Sequence, residues 1–217
     1  MRWKPTTLTM RLDSLKNTPD RAGRYWAVFD DGTRLGLYRQ TVEDFGLYPG
    51  KELSGEEMER LRTAAGKMSA KMRAVRIVSA SSVSRRDLEE RLVRKGEDAL
   101  DAKRAVEWME DLNLLDDRVT AEQVVRSCAA KGYGLARAKQ ALYEKRIPRE
   151  LWEETLTDYP DQSDKIEQFL RARLGRESDR REVKRAVDAL IRRGHSYGSI
   201  RAVLADMQLD TEEYLED

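Results

Sequence analysis

Leu88-Glu89-Glu90-Arg91-Leu92-Val93-Arg94-Lys95-Gly96 returns twice in altered form, as Ala138-Lys139-Gln140-Ala141-Leu142-Tyr143-Glu144-Lys145-Arg146 and as Ala186-Val187-Asp188-Ala189-Leu190-Ile191-Arg192-Arg193-Gly194. Each version reads as a short helix whose apolar residues fall three and four apart, ending in two charged residues of which at least one is basic. A helix hairpin of this size cannot bury its apolar face alone, so recurrence implies units that cover one another. The offset of about fifty residues is longer than the roughly 34 of tetratricopeptide repeats, whose aromatic signature is also missing. The expected fold is therefore mainly α: tandem three-helix repeats at 67–119, 120–160 and 161–217, stacked as an elongated curved array, the last carrying an acidic tail.

Punctuation along the chain supports about nine helices from residue 68 onward. Thr120-Ala121-Glu122-Gln123 has the form of a capping box, and Asp116-Asp117 suits the positive end of the same helix. Pro148 stands where a first helical residue would, and Gly96, Gly175 and Gly194 stand where helices end.

Residues 1–66 have a different texture. Leu8 to Leu12 and Arg24 to Phe29 alternate apolar and polar side chains, and Asp30-Asp31-Gly32 supplies a turn into Leu35 to Tyr38. A hairpin plus one strand is marginal alone, so a helix over Glu56 to Lys71 is expected to cover it through Met58, Leu61, Ala65 and Met68. The result is a small α+β cap. One of Tyr25 and Trp26, on opposite faces of a strand, is left available to a partner.

Composition narrows the chemistry. Of the 217 residues 37% are charged, yet the net charge is only +1 because the signs are segregated. Residues 67–86 carry six Lys/Arg and no acid, residues 131–149 six against one, and residues 168–201 ten against four, with acidic blocks between them. Basic faces can thus exist on a nearly neutral protein. Cys128 alone cannot form an internal disulfide, and His195 alone supplies no metal cluster, so no metal or cofactor is expected. Met1-Arg2-Trp3-Lys4-Pro5 lacks the apolar core of a signal peptide and no apolar run reaches the roughly 20 residues of a membrane span, which favours the cytoplasm.

Several stretches together resemble the RecX family of recombination regulators. Leu92-Val93-Arg94-Lys95-Gly96 followed by Asn113-Leu114-Leu115-Asp116-Asp117 resembles its junction between repeats. Lys131-Gly132-Tyr133-Gly134 before Ala138 to Leu142 resembles its second repeat, and Leu190 to Ile200 its third. Tyr25 to Asp31 with Tyr48 to Leu53 resembles the extension of longer members. Arg146 replaces a common Gly, and His195 replaces a usual aromatic residue. The resemblance covers nearly the whole chain. It implies a non-enzymatic, monomeric protein that lies in the groove of the RecA filament on single-stranded DNA, touches the DNA weakly and without sequence preference, and hinders ATP turnover and strand exchange.

The residues themselves offer no enzyme constellation. Neither a phosphate-cradling glycine loop ending in Lys-Ser/Thr nor a dinucleotide fingerprint is present. Cys128 falls on an apolar helix face with Val124 and Val125 and reads as a small core residue; His195, after a helix-ending glycine, reads as a capping or surface residue. Trp108 and Trp152 sit at helical spacing among apolar neighbours and read as inter-helix packing. The candidate contacts for RecA or DNA are Arg85, Arg86, Arg91, Arg94 and Lys95 in the first repeat, Lys139, Lys145 and Arg146 in the second, and Arg192 and Arg193 in the third. Stacking is expected to bring these helix ends into register, where they meet phosphates or carboxylates along an extended partner. Against this stands the reading that such faces serve solubility alone. The rival function is a helix-turn-helix-like DNA-binding transcription regulator, whose paired helices and basic ends look much the same.

Overall fold

The computed structural model describes residues 9–175 and 178–207, which form two compact units divided between Leu115 and Asp116.

The first unit opens with a sheet. Strands β1 (Thr9–Leu15), β2 (Tyr25–Phe29), β3 (Arg34–Leu37) and β4 (Glu52–Ser54) lie in the order β3-β2-β1-β4, every neighbouring pair antiparallel. The β2–β3 turn is the expected one: Gly32 takes φ +82°, and the Phe29 and Thr33 backbones close the loop. The fourth strand escapes sequence reading because three residues cannot establish alternation. A short helix α1 (Arg39–Asp44) precedes it. Leu12, Ala27, Phe29, Leu37 and Leu53 point to one face and are sealed by Met58, Leu61 and Ala65 of α2 (Gly55–Ala80). These are three of the four covering residues expected; Met68 is not in this cluster. Tyr25 and Trp26 are both half-buried, and the Trp26 indole N–H donates to Asp20 at 3.2 Å.

Helix α2 serves two cores. It starts on a capping box in which Ser54 Oγ accepts from the Glu57 N–H at 3.3 Å and Glu57 accepts from the Ser54 N–H at 2.8 Å. Its first half covers the sheet. Its second half, through Ala70 and Ala74, packs with Leu88 and Leu92 of α3 (Arg85–Arg94) and with Ala102, Ala105, Val106 and Met109 of α4 (Ala99–Asp111). The expected division at residue 66 therefore falls inside one uninterrupted helix, because Gly66 is tolerated where flanking residues are good helix formers.

The second unit holds α5 (Asp117–Ala130), α6 (Leu135–Glu144) and, after a 3₁₀ turn at Arg149–Leu151, α7 (Trp152–Leu156), around Ala121, Val125, Leu142 and Ile147. Then come α8 (Ser163–Arg171), α9 (Arg180–Arg192) and α10 (Tyr197–Asp206), packed through Ile166, Leu170, Val187, Leu190, Ile200 and Leu204. Asp116 caps α5 by accepting from the Arg118 N–H at 2.7 Å and the Val119 N–H at 3.2 Å. Thr120 is buried inside that helix, so the capping-box reading there gives way to a charged acceptor four residues earlier. Pro148 precedes the 3₁₀ turn and does not open α7. Gly175 does not end α8, because the chain turns at Ala172 to Arg173 and packs Leu174 against the core. The acidic tail from residue 208 onward lies outside the described residues.

Candidate interaction surface

The three sequence-repeated helices end alike. Gly96 (φ +89°), Arg146 (φ +58°) and Gly194 (φ +88°) each occupy the left-handed region. The residue after each donates its N–H back to the carbonyl of the buried leucine: Glu97 to Leu92 at 3.1 Å, Ile147 to Leu142 at 3.1 Å, His195 to Leu190 at 3.2 Å. Arg146 thus adopts the glycine conformation at some cost in strain. The residue following each buried leucine is apolar and turned outward: Val93, Tyr143 and Ile191 are 44%, 52% and 43% exposed. Three repeats therefore present an exposed apolar side chain with cations within three residues of it, directly following in the first and third and after the intervening Glu144 in the second.

The ten candidate cations are not equivalent. Arg85 pairs with Glu110 at 2.9 Å, Arg86 with Glu90 at 3.1 Å and Arg91 with Asp87 at 2.8 Å. Lys145 at the end of α6 is half-buried, and Arg146 rests over the Tyr143 ring at 5.8 Å. Arg94, Lys95, Lys139 and Arg192 are exposed and, among the described residues, have no carboxylate partner.

Arg193 is turned inward. It donates to the Lys131 carbonyl at 2.9 Å and lies over the rings of Tyr133 and Phe169 at 5.2 and 5.3 Å. It belongs to a joint between the α9–α10 turn and the α5–α6 turn. There the Gly134 N–H donates to the Arg193 carbonyl at 2.9 Å and the Ala136 N–H to the Gly194 carbonyl at 3.2 Å. A β-carbon on Gly134 would stand 2.0 Å from the Gly194 oxygen, and one on Gly194 would stand 2.3 Å from the Arg137 nitrogen. Only glycines permit this approach. Gly194 meets the start of α6 while Lys145 and Arg146 end it, so these two tips are offset by the helix length of about 15 Å. Within this unit the tips are spaced along a helix and not clustered.

His195 is buried in the same joint, where the Gly132 carbonyl, an acceptor only, takes a hydrogen bond from its Nε2–H at 3.1 Å. This replaces the expected capping or surface role. Burial pushes its pKa below the usual value, the Gly132 bond opposes the shift, and the Arg193 charge adds to it. A neutral, immobilised imidazole is a packing element. Burial likewise raises the Cys128 thiol, and it drives the Tyr159 hydroxyl, which donates to the Tyr133 carbonyl at 2.7 Å, up to about 12. Neither group is activated as a nucleophile or base. Trp108 and Trp152 are half-buried against their helical cores as expected, with Lys71 and Arg149 over their rings. No His/Cys/Asp/Glu cluster suited to a metal occurs among the described residues, and no described helix is long and apolar enough to cross a membrane.

Residues 116–156, from the Asp116 cap to the last residue of α7, match the family described as "RecX, second three-helix domain". A protein of Halorhodospira halophila named regulatory protein RecX is 30% identical over 147 residues, covering 64% of this chain and 88% of its own. The chain belongs to the RecX family. Another RecX of Clostridioides difficile is 25% identical over 214 residues, 94% of this chain and 97% of that one, so the relationship includes the N-terminal sheet. A crystal structure of regulatory protein RecX superposes with a TM-score of 0.60 at 19% identity, over 89% of this chain and 98% of that one, which places the fold with RecX. The curated relatives are all named regulatory proteins.

Proposed function

We propose that this RecX-family chain is a cytoplasmic, non-enzymatic regulator of homologous recombination that binds the RecA filament on single-stranded DNA and restrains its ATP turnover and strand exchange. The observation that carries the reading is the helix end built three times over, each with an outward apolar residue and cations within three residues of it. A repeated contact suits a repeated partner: several weak contacts made at once along a polymer multiply into firm attachment. The apolar residue supplies area, and the cations supply attraction to carboxylates or phosphates that weakens as salt rises. Membership in a family of regulatory proteins supports the same reading, and none of the buried titratable groups is poised for catalysis.

Within this reading Arg94, Lys95, Lys139 and Arg192 make the principal charged contacts, and Val93, Tyr143 and Ile191 the apolar ones. Arg193 acts indirectly, by holding the joint. Reversing Arg94, Lys95 and Arg192 to Glu is expected to weaken inhibition of the RecA DNA-dependent ATPase at least about tenfold at low salt while the melting transition stays in place. Unchanged inhibition by the folded variant would contradict the assignment.

The paired helices α5 and α6, joined by a four-residue turn, also suit a helix-turn-helix DNA reader. That reading requires preference for one duplex sequence without RecA, which a selection from random duplexes tests.

A further inference from the structure

The first unit contains a cleft that the repeated helix ends do not explain. It measures about 460 Å³ and is lined by Arg24 from the loop between β1 and β2, Arg73 and Arg76 from α2, Arg91 from α3 and Lys95 just after it. Among the described residues no acidic side chain lines it; the remaining lining residues are small or aliphatic, such as Ala22, Ala80 and Ile77.

Three of the five cations are paired with carboxylates that do not themselves line the cleft. Asp20 grips Arg24 at 2.8 Å, Glu97 grips Arg73 at 2.5 Å, and Asp87 grips Arg91 at 2.8 Å. Glu97 also accepts from Ser69 Oγ at 3.0 Å, and Asp20 accepts from the Arg24 and Ala22 backbone N–H groups, which with the Arg24 guanidinium hold its carboxyl at about 2. These guanidinium groups are thus fixed before any ligand arrives, which lowers the entropy lost on binding. Arg76 and Lys95 have no carboxylate partner among the described residues; Arg76 donates to the Tyr38 hydroxyl at 3.2 Å. Five positive groups against three carboxylates leave an excess of positive charge.

Two ordinary explanations fall short. Helix C-termini attract cations, which accounts for Arg91 and Lys95 at the end of α3. It does not account for Arg24, from the loop between β1 and β2, or for Arg73 in the interior of α2. Solvation of a charged surface does not account for arginines locked in place by buried or half-buried acids.

We propose that this cleft is a phosphate-binding site, assembled jointly by the loop between β1 and β2 and the helices α2 and α3, and fitted to a nucleic-acid backbone. Guanidinium forks match phosphate oxygens, and the small side chains of Ala22, Ala80 and Ser81 leave room for a sugar–phosphate chain to approach. An acidic peptide fits less well, because the lining offers no aromatic or large apolar pocket to anchor one. The N-terminal region thereby gains a role: the loop between β1 and β2 contributes Ala22 and Arg24 to the site. The proposal shares Lys95 with the regulatory reading, but its test contains no RecA, so the two can fail separately.

The test compares Arg76→Gln with Lys95→Gln as a double variant against a control pair, Lys67→Gln with Lys103→Gln, which removes equal charge from exposed positions of the same unit. Fluorescence anisotropy with labelled oligo-dT across a salt series gives affinity and salt slope, and thermal melting verifies folding. The cleft pair is expected to weaken binding about tenfold at low salt and to flatten the log–log slope by about 1.4, at roughly 0.7 per lost single-strand phosphate contact. The control pair is expected to leave both nearly unchanged. Pyrophosphate competition and a neutral methylphosphonate oligomer separate the sources: loss of binding to the neutral backbone with poor competition by pyrophosphate supports the nucleic-acid backbone. Equal losses in the two pairs, or competition by poly-glutamate as strong as that by oligo-dT, would overturn the proposal.

Discussion

The sheet-to-repeat connection in the first unit and the repeat-to-repeat connection in the second solve the same problem by opposite means. The first uses one continuous helix, α2, whose apolar residues serve the sheet at one end and α3 and α4 at the other. The second brings two turns together until backbone meets backbone, with glycine where any side chain would intrude and a buried histidine and an arginine closing the gap. An apolar seam degrades gradually as area is lost, whereas a backbone seam tolerates almost no added atom. The two connections should therefore respond differently to small changes.

The largest effect is expected at Gly134. Gly134→Ala places a methyl against the Gly194 carbonyl, and parting the two turns would cost the Gly134–Arg193 and Ala136–Gly194 bonds together with the His195–Gly132 bond. A destabilisation of about 4 kcal/mol or more is expected, seen as a large fall in the urea midpoint. In the first unit, Leu61→Ala removes a fully buried side chain between α2 and the sheet and should cost about 2–5 kcal/mol. If the alanine at Gly134 cost less than about 2 kcal/mol, below the range expected at Leu61, the contrast drawn between the seams would be wrong.

A smaller effect sharpens the role of His195. Its folded pKa lies below the unfolded value of about 6.5, so the unfolded chain binds the proton more readily. The stabilisation is complete above that value and is lost as pH falls through it towards the folded pKa, with a slope of at most about 1.4 kcal/mol per pH unit for one proton. His195→Gln should lower stability at pH 7.5 and flatten the profile between pH 7 and 5. A profile as steep as that of the parent would assign the pH dependence to other groups.

The three helix ends were legible because each couples a buried leucine to a left-handed residue, and glycine at two of the three announces that conformation. Arg146 breaks the pattern in composition but not in backbone. The sheet was legible where strands alternate, and not at β4, where three residues are too few. The continuity of α2 was hidden by Gly66 and by the change of partner halfway along. His195 and Arg193 misled because sequence places them at a helix end, and a helix end reads as surface unless one knows what docks on it. Gly134 left one sign, a helix-opening position without a capping side chain. The basic cleft left none, since Arg24 is about fifty residues from Arg73 and only folding unites them.

The regulatory account is tested most directly by titrating the purified protein into RecA, single-stranded DNA and ATP while ATP turnover is followed. A partner that grips a polymer at several points should depress turnover at ratios well below one per RecA protomer, and added salt should relieve the effect. Turnover unchanged at one protein per protomer in low salt would contradict it.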